Sequence, residues 1–255
     1  MSEDEAERLT RRRFIALSGA AGAGALLAGG PAENAWAQSL LADCGGLNDT
    51  DYLWVSAKEC AAGTKKCLFT AKDYALVKGA RTTGPTTNNN LLVPTARRQG
   101  IECPLIWQPQ EWNYWKSAWE HALSGPTKVV NHANIGLGIN SVAARQQKQL
   151  HIHIAGMQPV VQAELKKADA SITTDPTKWD ASRVTIQGVK YRVLRRNDLN
   201  ANLFKLAVDN VAKNNMSEQT MLVTNRDAGG FYILNSQRGG NLMGTDACDP
   251  LLVKK

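Results

Sequence analysis

Gln149-Leu150-His151-Ile152-His153-Ile154 alternates with a period of two. Leu150, Ile152 and Ile154 fall on one face of a strand, and Gln149, His151 and His153 on the other. The apolar face anchors the strand in a core. The polar face presents an amide and two imidazoles in a row. The chain has 4 histidines, and two of them stand here, one residue apart. Such a pair has three chemical uses. Neutral imidazoles converge on a metal ion, or one acts as a nucleophile with the other as its helper, or both fill a hydrogen-bonded polar surface. These six residues alone leave all three open.

Outward from this strand, Ile135–Asn140 and Val129–Val130 are strand-like, with His132 in the short loop between them. The polar run Asn140–Lys148 is a hairpin loop leading into Gln149–Ala155, the expected central strand. Leu68–Lys78 alternates, and Leu91-Leu92-Val93 stops at Pro94, which cannot donate to a ladder. Tyr74–Val93 therefore reads as an antiparallel hairpin. A short helix is expected near Asp51–Lys58. Gln110–Leu123 reads as an amphipathic helix with Trp112, Trp115, Trp119 and Leu123 on one face, packing on a sheet, and ending at Gly125-Pro126. His121 falls in it, as a surface or satisfied side chain.

Downstream, Pro159–Ala170 is a helix with Val160, Val161, Leu165 and Ala168 on its apolar side. Arg183–Arg195 holds two strand-like runs around Gly188. Asn202–Asn214 is a helix, and Met221–Thr224 with Gly230–Asn235 a hairpin across Arg226-Asp227-Ala228-Gly229. A Gly-rich tail from Ser236 carries Cys248. The class is α+β, an antiparallel sheet with helices packed on it. Two αβ halves of similar content, roughly 40–158 and 159–255, fit the same pattern.

At 255 residues, 43% of them hydrophobic, the chain suits one large domain or two small ones. A net charge of +7 favours an anionic partner such as a nucleotide or a phospholipid surface. No Lys/Arg block with interleaved aromatics occurs, so nucleic acid is not expected as a partner. Thr10-Arg11-Arg12-Arg13-Phe14-Ile15-Ala16 resembles a twin-arginine export signature. An Ala/Gly-rich apolar run and the small-x-small site Ala35-Trp36-Ala37 follow it. Residues 1–37 are thus expected to be an export signal, cleaved or kept as an anchor, and 38–255 the exported domain. That places the protein in the periplasm or at the inner membrane. Cys44, Cys60, Cys67, Cys103 and Cys248 then meet an oxidising compartment. Cys60–Cys67 suits a bridge, an odd cysteine is left over, and the remaining pairing is open.

The ordered set of motifs resembles the histidine triad superfamily, and within it the bacterial CDP-diacylglycerol pyrophosphatase family. The residues that carry the resemblance are Leu91-Leu92-Val93-Pro94-Thr95-x-Arg97, Gly100-Ile101-Glu102-x-Pro104, Ala118-Trp119, Ile139-Asn140-Ser141 through Arg145-x-Gln147 to His151-Ile152-His153-Ile154, and Gly188-x-x-Tyr191. The resemblance implies a HIT-like fold for 38–255. It makes His151 the nucleophile and His153 its catalytic partner. Gln149, in place of the family's first histidine, Asn140, Gln147 and Arg97 become substrate-side residues. An amide at 149 can hydrogen-bond a backbone group or a phosphate oxygen but cannot become cationic.

The implied reaction is hydrolysis of CDP-diacylglycerol to CMP and phosphatidate through a nucleotidyl-histidine, with no cofactor and no metal. Arg97 and Arg98 are candidate contacts to phosphate or to an anionic membrane surface. Two alternatives stay beside it. One is a HIT-like hydrolase of another nucleotide diphosphate ester. The other is a metal-binding periplasmic protein with His151, His153 and His132 as ligands.

Overall fold

The computed structural model describes residues 44–79, 89–212, 215–239 and 242–254. The expected export signal, 1–37, lies outside them. Ten strands of the described residues form one sheet: β1 (Phe69–Thr70), β2 (Tyr74–Lys78), β3 (Asn90–Pro94), β4 (Ile135–Ile139), β5 (Ile152–Met157), β6 (Arg183–Ile186), β7 (Val189–Arg196), β8 (Gln219–Asn225), β9 (Phe231–Gln237) and β10 (Leu252–Val253). The spatial order is β1-β2-β3-β5-β4-β8-β9-β7-β6, every pairing is antiparallel, and β10 pairs with β5. Among the described residues four α-helices accompany it: α1 (Tyr52–Ala61), α2 (Tyr114–Leu123), α3 (Pro159–Ala168) and α4 (Leu203–Ala207).

The sheet is built from two copies of one topology. Strands β2-β3-β5-β4 form the first half, with α2 between β3 and β4 in sequence. Strands β6-β7-β9-β8 form the second, with α4 between β7 and β8. The halves meet antiparallel at β4 and β8, where Leu137 faces Val223 and Gly138 faces Leu222. The two αβ halves read from the sequence are these two units, and α3 is the link between them.

Local sequence explains the elements. The Asp51 carboxylate accepts from the Trp54 amide and starts α1. The Asn113 side chain accepts from the Lys116 amide and starts α2. Gln187 and Gly188 both have positive φ, so the β6–β7 turn bends with the hand that suits a two-residue hairpin. Pro159 opens α3, and Lys166 and Lys167 complement its C-terminal end.

Four expectations are corrected. Because α2 starts at Tyr114, Trp112 precedes the helix and is 46% exposed, and the buried face is Tyr114, Trp115, Ser117, Ala118 and Ala122. Leu123, at its far end, is exposed too. Val160 is also exposed, since only Val161, Gln162 and Leu165 of α3 point inward. Val129–Val130 forms no strand, because the Val129 amide closes the end of α2 on the Ala122 carbonyl. The helix expected over 202–214 keeps α geometry only to Ala207. A π turn, Val208–Ala212, takes over where β-branched and Asx residues disfavour the regular helix.

The two faces of the sheet are covered differently. On one, α2 and α4 pack with Trp115 against Phe204 and Trp119 against Phe231. On the other, two clusters stand apart. Leu53, Trp54, Ala57 and Cys60 of α1 pack on Ala75, Val77, Leu91 and Val93. Val161 and Leu165 of α3 and the tail residues Cys248, Leu251 and Leu252 pack on Ala155, Met157, Leu222, Tyr232 and Leu234. The register puts His153 opposite Leu91 on one side and Gly138 on the other. The histidines therefore lie on this second face, between the two clusters. No helix among the described residues is long and apolar enough to cross a membrane.

Candidate active site

His151 sits where the chain enters β5, buried, with Nδ1 2.8 Å from the carbonyl oxygen of Gln149. A carbonyl only accepts, so Nδ1 carries the proton and Nε2 keeps its lone pair. Burial is the largest influence on the ring and holds its pKa below the usual 6.5; the Gln149 carbonyl opposes it, and Arg145 and Lys254 add to it. The ring is thus a neutral base of fixed tautomer. His153 packs edge-on to it, ring centroids 5.2 Å apart. Its Nδ1 is 3.4 Å from the Asn89 side-chain oxygen, and its buried Nε2 has no hydrogen-bond partner. Burial, then the neighbouring His151, push its pKa well below 6.5.

Gln149 is fully buried and its amide is committed to protein groups. Nε2 donates to the carbonyls of Pro94 (3.0 Å) and Ala96 (2.8 Å), while Oε1 accepts from Arg97 Nη1 (2.7 Å) and the Arg98 amide (3.2 Å). Two donors and two acceptor positions are all that an amide has. Gln149 is therefore a clamp on the Pro94–Arg98 loop, and it holds the carbonyl that fixes His151. Arg97 lies behind it, buried, paired with Asp49 at 2.7 Å and stacked over Trp54. Arg98 is held by Glu111. Asp51 both caps α1 and accepts from the amides of Lys148 and Gln149.

Asn140 continues β4 one step beyond Ile139 and, in the register that pairs Gly138 with His153, falls opposite His151. Its side chain turns to the tail. Oδ1 accepts from the Cys248 amide (2.7 Å) and Nδ2 donates to the Asp249 carboxylate (2.8 Å). Cys248 and Asp249 thereby join the histidines, two residues that sequence reasoning did not find. A signal was present: Ile135-Gly136-Leu137-Gly138-Ile139 leaves one strand face without side chains. A Cβ at Gly136 would meet Leu252, and one at Gly138 would meet Cys248. Gln147 is half-buried in the loop leading to the strand. That loop is fixed by Arg145, which grips Glu102 through both guanidinium nitrogens at 2.5 Å. Glu102 is itself stapled to the N-terminal segment by the adjacent Cys44–Cys103 disulfide. The second bridge is Cys60–Cys67, and Cys248 is free and buried.

The structure brings His151, His153 and Asn140 to one face, sets Gln149 and Arg97 behind them, and separates His132. The His132 ring lies against Gly156, three residues beyond His153 and hence on the opposite side of β5. The three-histidine metal site is therefore corrected: strand alternation keeps His132 away from the other two.

The family model described as CDP-diacylglycerol pyrophosphatase matches residues 48–252. Among solved structures, the yeast Ap4A phosphorylase Apa2 is similar at 12% identity and a TM-score of 0.42; the match covers 68% of this chain and 60% of that one.

Proposed function

The chain belongs to the CDP-diacylglycerol pyrophosphatase family, and from that membership we propose that it cleaves the pyrophosphate bridge of CDP-diacylglycerol to CMP and phosphatidate through a covalent intermediate on His151. The observation that carries the nucleophile is the 2.8 Å bond from Nδ1 of His151 to the Gln149 carbonyl, which leaves Nε2 as the attacking atom. Nε2 attacks the cytidylyl phosphorus in line. A P–N bond forms, the bridging P–O bond breaks, and phosphatidate departs with the electron pair. Water then attacks the same phosphorus from the opposite side, releasing CMP and restoring the imidazole.

His153 serves the leaving group. In the free protein, burial keeps it neutral. An arriving pyrophosphate brings the negative charge that favours the protonated ring, which then donates to the bridging oxygen as the bond breaks. Arg145 and Lys254 act electrostatically on His151, and Lys254 on His153 too, and each is paired in the free protein, with Glu102 and Asp249 respectively. An arriving phosphate competes with those carboxylates for the two cations, since an amide at 149 offers no charge of its own.

The test is turnover of CDP-diacylglycerol by the purified protein beside His151→Ala and His153→Ala, with peptide mass mapping after acid-free quenching. A cytidylyl adduct on the peptide containing residue 151, trapped in the wild type, formed more slowly in His153→Ala and missing in His151→Ala, is the expected result. Full turnover by His151→Ala would sink the mechanism. Turnover only of soluble CDP esters would move the substrate to that class.

Export and work at a membrane surface belong to the same proposal. Two disulfides support an oxidising compartment. Cell fractionation of an Arg11→Lys/Arg12→Lys pair is expected to leave the protein in the cytoplasm, and unchanged export would overturn this part.

A further inference from the structure

The tail brings a third kind of donor to the histidine face. A ring nitrogen of His153, Sγ of Cys248 and a carboxylate oxygen of Asp249 all lie within 4.8 Å of one another. We propose that His153, Cys248 and Asp249 bind a thiophilic divalent cation of the zinc type, and that its binding withholds His153 from the phosphate and switches hydrolysis off. The site stands on the donor geometry, and the inhibitory effect rests on the role given to His153 above.

Four observations support a built site. First, His153 is nine-tenths buried, yet its Nε2 has no hydrogen-bond partner. Buried polar atoms are rarely left so. Nδ1 faces the Asn89 oxygen on the β3 side, which places the proton there and the lone pair on Nε2. A metal-bound histidine commonly has this arrangement, its second nitrogen donating to a carbonyl. Second, Asn140 orients both other donors at once, through the Cys248 amide and the Asp249 carboxylate. Third, Gly138 is the strand partner of His153, and a Cβ there would meet Cys248 Cβ and Sγ at 2.8 Å. Glycine clears the space that lets the sulfur lie beside the ring. Fourth, one thiolate and one carboxylate together balance a dication, and the metal takes the place of Lys254, which pairs with the half-exposed Asp249 carboxylate here.

Tetrahedral zinc with bonds of about 2.0–2.3 Å needs its donors roughly 3.3–3.8 Å apart. Rotation of the Cys248 and Asp249 side chains supplies the remaining approach. Three protein donors leave a fourth position for water or a phosphate oxygen. Binding replaces the thiol proton with the metal: Cys–SH and the dication give the metal thiolate, and one proton goes to the buffer. Sulfur and imidazole select zinc over magnesium or calcium, which prefer oxygen.

The experiment uses the chelator-stripped full chain with cobalt(II) as the optical probe and zinc as competitor. In parallel, each variant's turnover is expressed as its ratio with and without zinc. Wild type is expected to show a cobalt–thiolate band that zinc erases, and at least a tenfold fall in turnover with zinc. In folded Cys248→Ser the band disappears and the ratio returns towards one. Asp249→Asn, a closer isostere, keeps the band but needs about tenfold more metal, in the range for weakened ligand sets. His151→Ala keeps the band whether or not it turns over, so failure of the nucleophile and failure of the metal site are told apart. No thiolate band in folded wild type, or a band or zinc inhibition that survives in Cys248→Ser, overturns the proposal.

Discussion

In the first half of the sheet, the pair β4–β5 turns Gly136, Gly138, His151 and His153 towards the tail. In the second half, the equivalent pair β8–β9 turns Thr220, Leu222, Thr224, Tyr232 and Leu234 to the same side. Strand order and helix placement are the same. What differs is volume and polarity. Leucine and tyrosine fill the second half and meet α3 directly, whereas the glycines of the first leave room that a distant segment enters. Both disulfides and all 4 histidines also belong to the first half. One topology thus does two jobs. The filled copy contributes packing, and the hollowed copy holds polar groups at a cost that its cross-links and ion pairs offset.

The sharpest way to break this division is a matched pair of substitutions. His151→Ala is expected to lower kcat/KM by at least about 10⁴-fold, the scale for loss of a nucleophile, with little change in melting temperature. Leu234→Ala in the other half should do the reverse. It should cost about 2–5 kcal/mol in denaturant unfolding while leaving turnover per folded molecule within about twofold. A large catalytic loss in Leu234→Ala would show that the halves do not divide the work.

Reduction comes next. The Cys44–Cys103 bridge closes a separation of 59 residues, worth about 4 kcal/mol by chain entropy. Under thiol reductant, hydrogen exchange should rise first in α1, β2, β3 and the Pro94–Cys103 loop, with β6–β9 following later. Uniform loosening of both halves would contradict the assignment of the staples to the first.

Gln149→His restores the residue type that a histidine triad has at this place, and simple analogy would expect it to help. The structure gives the opposite expectation. Imidazole cannot replace two donors and two acceptors, so the loop carbonyls of Pro94 and Ala96 lose partners. Turnover should fall by about tenfold, and unfolding free energy by about 2 kcal/mol, the scale for stranded buried groups. A gain in turnover would refute the clamp role of Gln149.

The smallest effect is acid sensitivity. His151 and His153 have folded pKa values below 6.5 because of burial. Their unfolded forms bind protons first as pH falls, so stability is fully present above about 6.5 and is lost below it, at up to about 1.4 kcal/mol per unit per group. The acid limb of kcat/KM should likewise lie below 6.5. Exchange measured at descending pH should show β4–β5 loosening before β8–β9, since the second half contains no histidine.

Much of this was legible because it is local. Alternation at Gln149–Ile154 and the hairpins around Gly188 and Arg226–Gly229 act within a few residues. The repeat of two αβ halves was legible as content, though its two-fold arrangement needed the pairing of β4 with β8. Long-range partners left weaker traces. Nothing near Cys248 or Asp249 says that they return to Asn140. The bare face of Ile135–Ile139 says only that something must cover it. Trp112 was misread because helical spacing was extended past the Asn113 cap. Gln149 showed its position but not its partners, since an amide reads the same whether it faces phosphate or a carbonyl.

Asn140 ties the tail across separations of 108 and 109 residues. That has a consequence in time. Loop-closing bonds of this length follow the hairpins and helices that bring their ends near. On dilution from denaturant, β2–β3 and β8–β9 are expected to form early, and the histidine face to stay open until the tail arrives. Trp54, Trp115 and Trp179 are buried in the packed layers, so tryptophan fluorescence is expected to report the earlier event. Docking of the tail is expected to be the later one, so fluorescence should recover before turnover does.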